Sequence, residues 1–245
     1  MAISIPAVQP ERLFFSGASL AMVAVIGYGF APSFYLKHLI APRHPTEALV
    51  TLVVLHGLLF TAWLLLFVAQ AALVAAGRLD LHRRAGLLGF AMLPALVIVG
   101  VATALNGVTR PLTAPPGIGA LSWLAMPLLD IPVFATLIGL GLANRSRPAA
   151  HKRYLYIAMA DMMGPGFGRM TLPVPPALHG PVATILLPAL FLLALIGWDL
   201  RSRGRVLTVT LGGSIAVLGM AILKPAIWYS PAWLAFAGWI TAPFR

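Results

Sequence analysis

Seven predominantly apolar runs, most of them near or above the roughly 20 residues that cross a bilayer as a helix, follow one another along this chain with only short polar breaks. They cover residues 14–36, 47–76, 86–107, 120–144, 154–172, 181–200 and 205–228. In lipid a backbone must satisfy its own hydrogen bonds, and runs of this length do so as helices. The expected fold is therefore all-α: an integral membrane helical bundle of about seven transmembrane helices. The composition agrees, with 60% hydrophobic and 9% charged residues, against about a quarter charged in soluble domains. Mean hydropathy is +0.93. The 245 residues leave no room for a separate soluble domain, so 1–245 reads as a single transmembrane domain.

The second run is long enough to tilt. The first has no small-residue cleavage pattern after it and is expected to stay as the first helix rather than leave as a signal peptide. Gly164-Pro165-Gly166 interrupts the fifth run, which also contains Arg169. A broken helix at membrane depth is tolerated where protein or a cavity covers it. After Pro231, the segment 232–241 with Trp233, Phe236 and Trp239 is too short to span and reads as an interfacial helix, its indoles at head-group depth.

A net charge of +11 in a soluble protein would suggest nucleic acid. Here the basic residues sit in short clusters between spans, which is topology signalling and gives no nucleic-acid partner. Arg78, His82, Arg83 and Arg84, then Arg145, Arg147, Lys152 and Arg153, then Arg201, Arg203 and Arg205 all fall on one face. The positive-inside rule makes that face cytoplasmic, in contact with anionic lipid head groups, in a bacterial inner membrane. The N-terminus is then inside and the C-terminus outside, although Lys37, Arg43 and Arg110 lie on the other side. Arg78-x-x-x-His82-Arg83-Arg84 is matched by Arg147-x-x-x-His151-Lys152-Arg153, so the two hairpins they join form a candidate tandem repeat.

Without cysteine there are no disulfides, thiolate metal sites or Cys nucleophiles. Recognised catalytic motifs are absent too, among them G-x-S-x-G, H-E-x-x-H and the phosphate-cradling glycine loops. Chemistry must come from histidines and carboxylates. Only six acidic residues exist, and Asp130 and Asp161 fall inside spans, where a charge needs a partner. Counting along the helices puts His56 and Asp130 both about 15 Å below the outer boundary. Folding the fourth and fifth spans into a hairpin brings Arg169 level with Asp130. The expectation is a buried polar cluster of His56, Asp130 and Arg169, with Arg169 neutralising Asp130, and it reads equally as a structural latch or a functional site. Asp161 lies nearer the cytoplasmic side among Met159, Met162 and Met163 without an evident cation. Lys224 is expected to snorkel to the outer interface.

Paired histidines on facing helices hold a b-type haem, with basic residues near the ring edge to neutralise its propionates. His82 and His151 open the third and fifth spans at one face, each followed by two basic residues, and form a geometrically sensible pair. Equally, both are what a head-group boundary carries. His56 is deep enough to be a further ligand, with Met126 as the only soft group opposite. His38, His44 and His179 sit in outer loops with no specific metal spacing.

The stretch from His56-Gly57 through Trp63 to Leu81-His82-Arg83-Arg84-Ala85-Gly86, then His151-Lys152-Arg153 and the closing Trp233-Leu234-Ala235-Phe236-Ala237-x-Trp239, resembles a family of uncharacterised proteobacterial multi-pass membrane proteins. That resemblance implies a membrane bundle and no particular activity. More loosely, the layout is similar to the two-haem transmembrane cytochromes b, which hold haem with histidine pairs on the second and fourth and on the third and fifth helices. His56, His82 and His151 fall on the second, third and fifth spans, while the fourth has no histidine. Three functions stay open: a haem b or quinone-linked electron carrier, a non-enzymatic subunit or assembly partner of a larger membrane complex, and a proton-coupled small-solute transporter.

Overall fold

The computed structural model describes residues 10–41, 49–110, 113–115 and 117–244; His44, Arg43 and Glu47 lie outside them. Every regular element among the described residues is helical. The chain runs α1 (Pro10–Phe30, continued by a π-helical turn, Ala31–Tyr35), α2 (Thr51–Ala75), α3 (Leu79–Gly86), α4 (Leu88–Gly107), α5 (Ala120–Trp123) and α6 (Ala125–Ala143). It continues through α7 (Pro148–Asp161), α8 (Gly164–Phe167), α9 (Pro176–Pro181), α10 (Leu187–Arg203), α11 (Thr208–Trp228) and α12 (Pro231–Thr241). Six helical stretches are long and apolar enough to cross a membrane: 10–35, 51–75, 79–107, 120–143, 176–203 and 208–228. The molecule is a helical membrane bundle.

The fifth apolar run behaves differently. Its helix, α7, has 14 residues, about 21 Å against a hydrocarbon thickness of about 30 Å. It stops at Asp161, and the chain turns through Met162 and Met163 into the single-turn α8 at Gly164-Pro165-Gly166. Proline lacks the amide that would continue the ladder, and the flanking glycines weaken helix further. This short helix is nonetheless the centre of the bundle. Tyr156, Ile157, Ala158, Met159 and Ala160 are all buried, and α7 packs against α1, α6, α10 and α11. Trp63 on α2 reaches it with Nε1–H donating to the Met159 sulfur at 3.2 Å. Long helices thus face lipid, while the broken one is shielded from it, as an incomplete backbone ladder demands.

Close helix approach uses glycine. A Cβ on Gly29 of α1 would collide with the Gly166 carbonyl of α8, so these two backbones touch because neither carries a side chain. At the end rich in arginine, Gly77 (φ 74°) takes the left-handed conformation that turns α2 into α3. Gly204 (φ 69°) closes α10 in the same way.

That basic end is tied together by ions. Glu11 at the start of α1 pairs with Lys152 of α7 at 2.7 Å and with Arg203 of α10 at 3.6 Å. Arg153 is fully buried, where sequence reading placed it in a solvated topology signal. It donates to Asp199 of α10 and, through NH1, to the Ala149 carbonyl at 2.9 Å. Asp199 accepts further from Thr210 Oγ1 (2.6 Å) and Leu207 N (3.1 Å) of the chain entering α11. Three helices meet on one carboxylate. At the opposite end α12 caps the bundle: Ser230 accepts from Trp233 N at 3.2 Å, and Trp233 Nε1 donates to the Leu121 carbonyl at 2.8 Å. Trp239 is 74% exposed, in keeping with an interfacial position.

Candidate functional site

Two groups of polar side chains stand apart from the ties that hold helix ends. The first is at the basic end. His82 lies midway along α3 and His151 in the first turn of α7, which Pro148 opens in the position proline favours. Their ring centroids are 6.3 Å apart and their planes nearly perpendicular, at 84°. The rings reach across between helices that otherwise pack on other neighbours, α3 mainly on α2 and α4.

His151 Nδ1 lies 2.7 Å from the Gly141 carbonyl across the α6–α7 turn. A carbonyl only accepts, so Nδ1 carries a proton, and in the neutral ring the lone pair lies on Nε2. His82 meets the Gln70 amide. With its nitrogen toward the histidine, the amide donates to the His82 carbonyl (3.0 Å) and to Nδ1, and its oxygen accepts from Gly86 N at 2.9 Å. That orientation leaves the His82 proton on Nε2, complementary to His151. The opposite amide orientation would set its oxygen against the His82 carbonyl and its nitrogen against Gly86 N–H, so ligation through His82 Nε2 requires that proton to leave.

An ion held about 2 Å from each of two imidazole nitrogens puts the ring centroids about 6 Å apart. The observed separation is of that size, and it is equally that of an ordinary edge-on contact between two rings; Nδ1 of each histidine has a partner that holds the ring. The basic residues expected to flank a haem are only partly available. Lys152 is paired with Glu11 and lies over the Phe15 ring at 5.2 Å, and Arg153 is bound to Asp199. Arg83 and Arg84 remain exposed beside His82.

The second group lies in the other half of the bundle, and the structure divides the expected cluster of His56, Asp130 and Arg169. Asp130 of α6 accepts from Lys224 of α11 at 2.5 Å, and both lie within electrostatic reach of Asp161 at the end of α7. Lys224 does not snorkel; only 5% of it is exposed. Arg169 is elsewhere. Its guanidinium lies over the Phe30 ring at 4.0 Å and donates to the Pro165 carbonyl at 2.9 Å. The register that levelled Arg169 with Asp130 assumed a continuous fifth helix, and the break after Asp161 redirects the chain. His56 stays within electrostatic reach of Arg169. Its ring packs on Phe60, with centroids 4.4 Å apart, and its buried Nδ1 has no hydrogen-bond partner.

His179 Nε2 donates to the Met170 carbonyl at 2.9 Å. Among the described residues no three His, Asp or Glu side chains converge as a metal site. Comparison with family models, with curated proteins and with solved structures finds no match to this chain.

Proposed function

We propose that this membrane protein is an electron carrier, with a b-type haem held between His82 and His151 and electrons exchanged with a quinone in the same membrane. The observation that carries the reading is the 6.3 Å, nearly perpendicular apposition of two rings, each with its Nδ1 engaged by another group. A haem supplies reversible one-electron chemistry whose potential follows from ligand basicity and burial. The protein's own residues supply the rest. The Gly141 carbonyl would fix the His151 tautomer, the Gln70 amide would orient the His82 ring through Nδ1, with the Nε2 proton released on ligation, and Arg83 with Arg84 would neutralise propionates. His56 lies near the far end of α2 and takes no part in this pair.

The basic end, in this reading, is the cytoplasmic face of a bacterial inner membrane, with Arg78, Arg84 and Arg201 against anionic head groups. The test is a visible spectrum of protein purified from haem-replete cells. A Soret band in the wild type, lost in both His82→Ala and His151→Ala while retained in His56→Ala, is the expected result. Colourless wild-type protein sinks the reading and favours a structural subunit, which co-purification with a larger complex would then identify.

A further inference from the structure

We propose that Asp161 is an exchangeable proton site inside the membrane, at the end of α7 and beside the Asp130–Lys224 ion pair. The site has no residue in common with the histidine pair.

The argument begins with a charge count. Each tie at the basic end has at least one cation for its carboxylate: Arg153 for Asp199, Lys152 and Arg203 for Glu11. At Asp161 the count fails, since no ion pair or hydrogen bond reaches its buried oxygen. Lys224 spends its close contact on Asp130 at 2.5 Å, while Asp161 Oδ2 is buried and has no hydrogen-bond partner. An uncompensated buried charge is costly, so a low-dielectric site of this kind gains by binding a cation.

Two features select the proton. A metal cation needs a shell of oxygens, and among the described residues no three acidic or histidine side chains converge. Asp161 also ends α7, where the negative pole of the helix dipole favours a bound cation. The three groups come from three mutually packed helices, α6, α7 and α11, and the break of the central helix falls immediately after Asp161. Broken helices are where membrane proteins place exchangeable ion sites.

On α1 and α10, which also pack on α7, Glu11, Asp199 and Arg203 are engaged at the basic end. Beyond α8, Arg169 is held by Phe30 and Pro165, and His179 by Met170.

Infrared difference spectroscopy of the full chain in nanodiscs tests the site directly. Lowering the pH of wild-type protein should raise, apart from the lower-frequency bands of solvated carboxyls such as Asp80, a high-frequency protonated-carboxyl stretch with the amplitude of one group per chain, reversible and shifted in heavy water. Asp161→Asn should lose it, and Asp130→Asn should move its frequency. If wild-type protein shows no such band over the whole pH range in which it stays monodisperse, the proposal fails without recourse to any variant. It fails equally if a folded Asp161→Asn protein keeps the band unchanged. Replacing sodium by a bulky organic cation should leave the titration in place; a titration that moves with sodium concentration overturns the proton as occupant.

Discussion

At the scale of single residues, sequence predicts which side chains will be expensive to bury and says little about who will meet them. Arg153 reads as one more member of a basic loop, because nothing local marks it as buried; its partner is 46 positions away. Asp130 was legible as an intramembrane charge needing a cation, but that cation is Lys224, 94 positions on. Substituting Asp199 by Asn strands the Arg153 guanidinium and should cost about 3 to 5 kcal/mol, the usual penalty for breaking a buried pair from one side. The control is Asp80→Asn. Its 3.7 Å contact with Arg78 is about 60% exposed on both sides, and such pairs contribute less than about 1 kcal/mol. Thermal denaturation in one detergent should separate the two variants clearly, and equal shifts would refute the keystone role of Asp199. Gln70→Glu is the matching experiment at the histidines. A carboxylate facing His82 accepts from Nδ1 and makes Nε2 a more basic ligand, so a haem-loaded variant should show a lower midpoint potential. An unchanged potential argues against Gln70 as the group that sets the tautomer.

At the scale of elements, the long apolar helices were readable because lipid asks one thing of them: about 20 residues without charge. The broken one was readable only as an interruption. Gly164-Pro165-Gly166 shows where a helix stops, and the sequence does not say that the stub before it becomes the most enclosed helix of the bundle. That outcome depends on contacts such as Gly29 against Gly166. Gly29→Ala must push α1 away from the α8 backbone, which has no side chain to yield, and should lower the melting temperature. Gly27→Ala, two positions away with nothing within 4 Å of the added methyl, should be neutral or stabilise by up to about 1 kcal/mol through helix propensity. Comparison of the two melting temperatures isolates the close approach, and an equal response from both would show that α1 and α8 do not need it.

At the scale of the whole molecule, six helical stretches qualify as spans by length and apolarity, and α7 with α8 is the segment that decides the topology. If it completes a crossing, the loop between α6 and α7 and the loop after α8 are on opposite sides; if it dips in and returns, they share one. Ion pairs already gather the start of α1, the start of α7 and the end of α10 at one end. From there α10 and α6 both run toward the basic end, which requires the 161–176 segment to reach the other side before α9 begins. The absence of cysteine from the sequence gives a clean measurement. Single cysteines at the exposed positions Ser146, Thr171 and Ser202 can be probed in intact cells with a membrane-impermeant thiol reagent. The proposed orientation expects labelling at Thr171 alone, with Ser146 and Ser202 reacting only after lysis. Labelling at Ser146 and Ser202 but not Thr171 would invert the orientation while keeping the crossing. Protection of all three would mean that the segment re-enters the basic face. A crossing places Asp161 between the two aqueous sides, so the same labelling pattern bears on whether its proton site can be reached from either.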